Sequence, residues 1–174
     1  MGNTQTHQHG RYLIAGAGNT LMGDDGVGIR VVESLEQHQD FPYDLRYCGT
    51  DLLTLATVKK KYLHIIVIDA VRCGVSPGTI HWFTPDHLES YSLSGSAHQI
   101  SACEALALLP LMNPLLGETS FSIVGIEPAD TSFGEQLSPP IHRVVSKVVK
   151  VFLQEDGPAE VIRLCRRRET PLPG

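Results

Sequence analysis

The chain has 174 residues, 42% hydrophobic, 19% charged and 6% aromatic, with 16 Gly and 11 Pro. That is the size of one domain with a full core, too apolar for disorder and without the period of a collagen or repeat array. A net charge of −5 gives no general attraction to nucleic acid or an anionic membrane, and no apolar run reaches the ~18 residues of a membrane helix.

Residues 1–10 are polar and carry no apolar signal core. Cys48, Cys73, Cys103 and Cys165 are scattered without a C-x-x-C pair, the usage of free thiols rather than a disulfide framework. Both observations lead to the expectation of a cytoplasmic protein.

Arg11 to Ala17 reads as a buried strand entering a glycine-rich turn, followed by a helix from Asp24 or Asp25 to Gln37 with Gly28, Val31, Val32 and Leu35 on one face. Tyr43–Cys48 reads as a second strand and Leu52–Val58 as a short helix. Leu63–Ile68, a continuous β-branched run ending at Asp69, has the pattern of a central parallel strand. A turn at Ser76–Gly78 leads to a strand over Thr79–Phe83. A helix is expected from His98 to about Met112, then a strand over Ser120–Ile126. The last helix opens at Ser138 and Pro139 and runs through Ile141, Val144, Val145, Val148, Val149, Phe152 and Leu153 at helical spacing.

Strands alternating with helices predict an α/β protein: a three-layer α/β/α sandwich whose mostly parallel sheet carries helices on both faces. Residues 11–156 form the expected domain, flanked by a flexible tail over 1–10 and a loose, dispensable tail over 157–174.

Three motifs match by letter and fail by chemistry. Gly16-Ala-Gly18 lacks the third glycine of a dinucleotide fingerprint, since position 21 is Leu, and Asp24 and Asp25 would repel a pyrophosphate. No nucleotide is expected. Gly74-Val-Ser-Pro-Gly78 has the spacing of a serine nucleophile elbow, but Pro77 has no N–H to offer an oxyanion and a strand follows. The loose myristoylation pattern of the first six residues stands in a short polar tail, with nothing else pointing to a membrane.

Sheets of this kind place their sites beyond the carboxyl ends of the strands. Asp25 ends the turn after the first strand, Asp69 ends the central strand, and His98 opens a helix. Two carboxylates and an imidazole suit a divalent transition metal with room left for substrate. Each has a plainer reading: Asp24 or Asp25 as a helix cap, Asp69 as a turn cap, His98 as a structural histidine.

Gly18-Asn-Thr-Leu-Met-Gly-Asp-Asp-Gly-Val-Gly28, Ile68-Asp-Ala70 with Pro77-Gly-Thr79 behind it, and His98-Gln99 together resemble the nickel–iron hydrogenase maturation endopeptidases. The resemblance runs from about Arg11 to Leu153. It implies a five-stranded twisted sheet between helices and metal ligands at Asp25, Asp69 and His98. It also implies removal of a C-terminal peptide from the precursor of a hydrogenase large subunit, recognised through the nickel that the precursor carries. The partner implied is that precursor, with no nucleic acid and no membrane. Two other functions remain open: a non-enzymatic nickel-dependent checkpoint for a metalloenzyme precursor, and a metallohydrolase of small amides.

Overall fold

The computed structural model describes residues 11–85 and 102–167. Among them, β1 (Tyr12–Ala17), β2 (Asp44–Gly49), β3 (His64–Ala70), β4 (Ile80–Phe83) and β5 (Ser120–Ile126) form one sheet in the order β2-β1-β3-β5-β4. All neighbours are parallel except β4, which runs antiparallel to β5 at the edge. The apolar run of β3 is completely buried, as a strand with partners on both sides and covered faces must be. Its ladder continues past that run, with Asp69 opposite Gly125 and Ala70 opposite Ile126.

Among the described residues, four helices cover the faces: α1 (Val27–Glu36), α2 (Ala102–Met112), α3 (Pro139–Phe152) and α4 (Gly157–Arg167). Side chains of β1, β3 and β5 alternate between two cores. Ile14, Ile66, Ile68 and Val124 pack with α1, α3 and α4, while Leu13, Ile65, Val67 and Ile123 pack with α2 and the 3-10 turn Leu52–Thr57. This is the three-layer sandwich expected. No helix among the described residues is long and apolar enough to cross a membrane.

The layer of α1 lies unusually close to the sheet. A Cβ on Gly28 would stand 2.1 Å from the carbonyl oxygen of Ile68 and 2.5 Å from that of Ala17. A Cβ on Gly16 would stand 2.4 Å from the carbonyl oxygen of Gly28. Only a backbone without side chains fits between β1, β3 and the first turn of α1.

α1 itself is preceded by a 3-10 turn, Gly23–Gly26, rather than opening as an α-helix at Asp24 or Asp25. Asp24 is completely buried there. Its Oδ2 accepts the N–H groups of Ala129 and Asp130, both at 2.9 Å, and the hydroxyl of Ser138 at 2.8 Å, while Oδ1 accepts the Ser138 N–H at 2.7 Å. Ser138 stands at the start of α3 as expected, but its hydroxyl serves this carboxylate instead of capping its own helix. Asp24 thus ties the loop after β5 to the turn before α1.

The expectation of a loose tail after Gly157 is corrected over 157–167. The segment folds into α4, with Val161 and Cys165 fully buried beside α3, β4 and β5. Pro158 and the arginines are compatible with a helix here. Proline in a first helical turn costs no hydrogen bond, and Arg163 and Arg166 lie on the exposed face. The expected tails at 1–10 and 168–174 lie outside the described residues.

Ending the chain at Asp156 should cost at least about 3 kcal/mol, from two fully buried side chains at ~1.5 kcal/mol each. Circular-dichroism melts should then show a midpoint lower by about 6 °C or more; an unchanged midpoint would show that α4 contributes nothing. Asp24→Ala removes the buried carboxylate that accepts three N–H groups and the Ser138 hydroxyl, and urea unfolding should report a loss of about 3 kcal/mol.

Candidate active site

The carboxyl ends of β1, β2 and β3 open into a cleft of about 460 Å³. Local chain geometry sets its shape. The β1–β2 register shifts between Gly16 and Ala17, and the Gly18 N–H then donates to the carbonyl of Gly49 at 2.8 Å, joining the two strand ends. Gly18 has φ +115, and a Cβ there would stand 1.8 Å from the carbonyl oxygen of Asp25, so the turn requires glycine on both counts.

Asn19 finishes the turn. Its N–H donates to Oδ2 of Asp25 at 2.8 Å, and its side-chain oxygen accepts the Leu21 N–H at 3.0 Å. These two bonds account for the Gly18-Asn19 pair and hold the Asp25 carboxylate at the cleft wall. Asp69 reaches the same cleft from β3, with one oxygen accepting its neighbour's N–H, that of Ala70, at 2.8 Å.

Burial, and after it the charge of Asp25, pushes the Asp69 carboxyl up to about 7, against the opposing effect of the Ala70 N–H. Two carboxylates therefore converge closely enough to perturb one another on a common solvent-filled space. Such a pair either shares a proton or holds a cation.

The remaining walls are Thr50 and Asp51 on the polar side and Leu52, Leu53, Ala102 and Ala105 on the apolar side. Asp51 is occupied locally, its Oδ1 accepting the Leu53 N–H at 2.9 Å at the start of the 3-10 turn. Ala102 and Ala105 are one helical turn apart, and their small side chains leave room for the cleft beside α2.

Of the three candidate ligands, Asp25 and Asp69 meet in this cleft, and His98 lies outside the described residues. Asp24 does not line the cleft, because both of its oxygens are spent on the loop at 129–138. Ser76 stands in an exposed turn followed by β4, as the failed serine motif requires.

The chain is similar to a set of known proteins. The family model of the hydrogenase maturation proteases matches residues 29–155. The hydrogenase expression/formation protein HupD of Thiocapsa roseopersicina is 28% identical over 162 residues, covering 90% of this chain and 72% of its own. Its counterpart HoxM of Azotobacter vinelandii is 31% identical over 153 residues, covering 83% of this chain and 73% of its own. Among solved structures, the [NiFe] hydrogenase maturation protease HybD of Thermococcus kodakarensis superposes with a TM-score of 0.68 at 29% identity, covering 81% of this chain and 95% of its own. The hydrogenase maturating endopeptidase HybD of E. coli shares the fold, with a TM-score of 0.66 at 24% identity over 86% of this chain and 93% of its own. With most of its length matched by the family model, the chain belongs to the hydrogenase maturation proteases.

Proposed function

We propose that this protein is an endopeptidase of the cytoplasm that removes a C-terminal peptide from the precursor of a hydrogenase large subunit, and that it reads the nickel already bound there through Asp25, Asp69 and His98. The observation that carries the reading is the convergence of Asp25 and Asp69 on one open cleft, in a chain of this family.

The donor chemistry fits a nickel ion brought by the substrate. Two carboxylates offer hard oxygens, an imidazole suits nickel, and no thiol among the described residues lines the cleft to retain an ion permanently. A cation between Asp25 and Asp69 also offsets the repulsion and burial cost that raise the Asp69 carboxyl. A divalent ion in such a place supplies Lewis-acid polarisation of a carbonyl or an activated water. The chain's own share is to hold two carboxylates in fixed positions: Asp25 through the Asn19 N–H and Asp69 through the rigid end of β3.

A protein substrate fits the surroundings better than a small amide. The helix that walls the cleft with Ala102 and Ala105 also exposes Leu108, Leu111 and Met112, with Leu111 81% accessible. Apolar groups on one exposed stretch are the usual mark of a surface that meets another chain. A non-enzymatic checkpoint would use the same docking but leave the precursor intact.

Incubation with a nickel-loaded large-subunit precursor should produce a small mass loss, read by mass spectrometry. Asp25→Asn, Asp69→Asn and His98→Ala should each slow it by about a hundredfold or more, the scale of losing several kcal/mol at a charge-stabilising site. Asp25→Asn and Asp69→Asn should melt at the wild-type temperature or above it, because each removes one of two repelling charges. Cleavage of a nickel-free precursor at full rate would overturn the role of nickel, and tight binding without cleavage would leave the checkpoint reading in its place.

A further inference from the structure

A second constellation lies on the far side of the same sheet face. Sγ of Cys73, a ring nitrogen of His81 and a carboxylate oxygen of Glu127 all lie within 4.8 Å of one another. They come from three separate elements: the turn after β3, the strand β4, and the residue following β5. His81 and Glu127 are buried and Cys73 half-buried.

The cluster is separate from the candidate active site. Asp69 and His81 both lie opposite Gly125, one on each side of it, so about 10 Å separates their α carbons. The place above Gly125 is filled by Val71 and Phe83, each 2.9 Å from where a Cβ would be. Apolar side chains thus wall one group of polar residues from the other.

The geometry points to a site for a single borderline-soft divalent ion, Zn²⁺ or a close analogue, held by Cys73, His81 and Glu127. Thiolate, imidazole and carboxylate are the donor set that such ions select over Mg²⁺ or Ca²⁺. Metal–ligand bonds of about 2.0–2.3 Å place tetrahedral donors some 3.3–3.8 Å apart, so closure onto an ion needs movements of order 1 Å. His81 Nε2 and Glu127 Oε2 already stand 3.7 Å apart.

The remaining adjustment falls to Cys73, and its turn can supply it. Residues 74–77 are exposed, and Gly74 has φ +76 with nothing within 4 Å of its Cβ position. Glu127 meanwhile orients that turn, accepting the Cys73 N–H at 2.7 Å through Oε2 and the Gly74 N–H at 3.2 Å through Oε1. Each oxygen keeps a second lone pair for an ion, and hydrogen bonds of this kind fix a ligating carboxylate in place. Binding of the ion releases the Cys73 thiol proton to solvent. Three protein donors leave a fourth position for water from the exposed turn.

The test uses the full chain stripped of metal and titrated with Co²⁺. One equivalent should give a thiolate-to-cobalt charge-transfer absorption that persists in Asp25→Asn and Asp69→Asn, disappears in Cys73→Ser, and needs at least tenfold more Co²⁺ in His81→Gln. In the unsubstituted chain, one equivalent of Zn²⁺ should protect Cys73, and not Cys103, from iodoacetamide as read by peptide mass mapping. Absence of both the absorption and the protection would overturn the site. An absorption that survives Cys73→Ser, or one lost with Asp25→Asn, would do the same by assigning the ion elsewhere.

Discussion

Everything in this molecule that bears on function depends on one steric constraint: two glycines let a helix start in contact with the backbone of the sheet. Gly16 faces Gly28, and Gly28 in turn faces the carbonyls of Ala17 and Ile68. Because no side chain intervenes, the turn preceding α1 is drawn down to the level of the strand ends. Asp25 then hangs over the end of β3 instead of standing a layer above it. A spacer of even one methyl group between helix and sheet would move one carboxylate away from the other and dissolve their mutual perturbation.

The same turn shows how adjacent, chemically identical side chains receive opposite tasks. Asp24 points away from the cleft and is saturated by donors from residues over a hundred positions later in the chain. Asp25, one residue on, is half-exposed and accepts a bond from a local N–H, that of Asn19. Charge at the first position is fully compensated by donors and holds the structure together. Charge at the second is set against another carboxylate, an arrangement disfavoured in the empty fold and suited to a cation.

The strands could be read from the sequence because a buried parallel strand must be a continuous apolar run, as Ile65–Ile68 is, and because turns announce themselves with Gly and Pro. Asp69 could be picked out because it follows such a run directly, and Asp25 because it ends the glycine-rich turn after another. What could not be read depended on distant partners. Nothing local distinguishes Asp24 from Asp25; the loop at 129–138 does. α4 is short and its apolar residues are set among charges, and only the presence of α3, β4 and β5 beside Val161 and Cys165 makes them a core. Cys73, His81 and Glu127 share no spacing motif, since three elements carry them to one point.

The strand order has a consequence for how the chain is made. β5 inserts between β3 and β4, yet it begins at Ser120 while β3 ends at Ala70. At ~5–20 residues per second of synthesis, about 50 residues correspond to roughly 2–10 s. Throughout that interval β3 has β1 on one side and an open edge on the other, presenting the most apolar run of the sheet to its surroundings. The nascent chain therefore passes through a window in which edge-to-edge pairing with another copy competes with completion of its own sheet. Arrival of Ser120–Ile126 closes that window, and α4, the last described helix to emerge, then seals the face over β4 and β5.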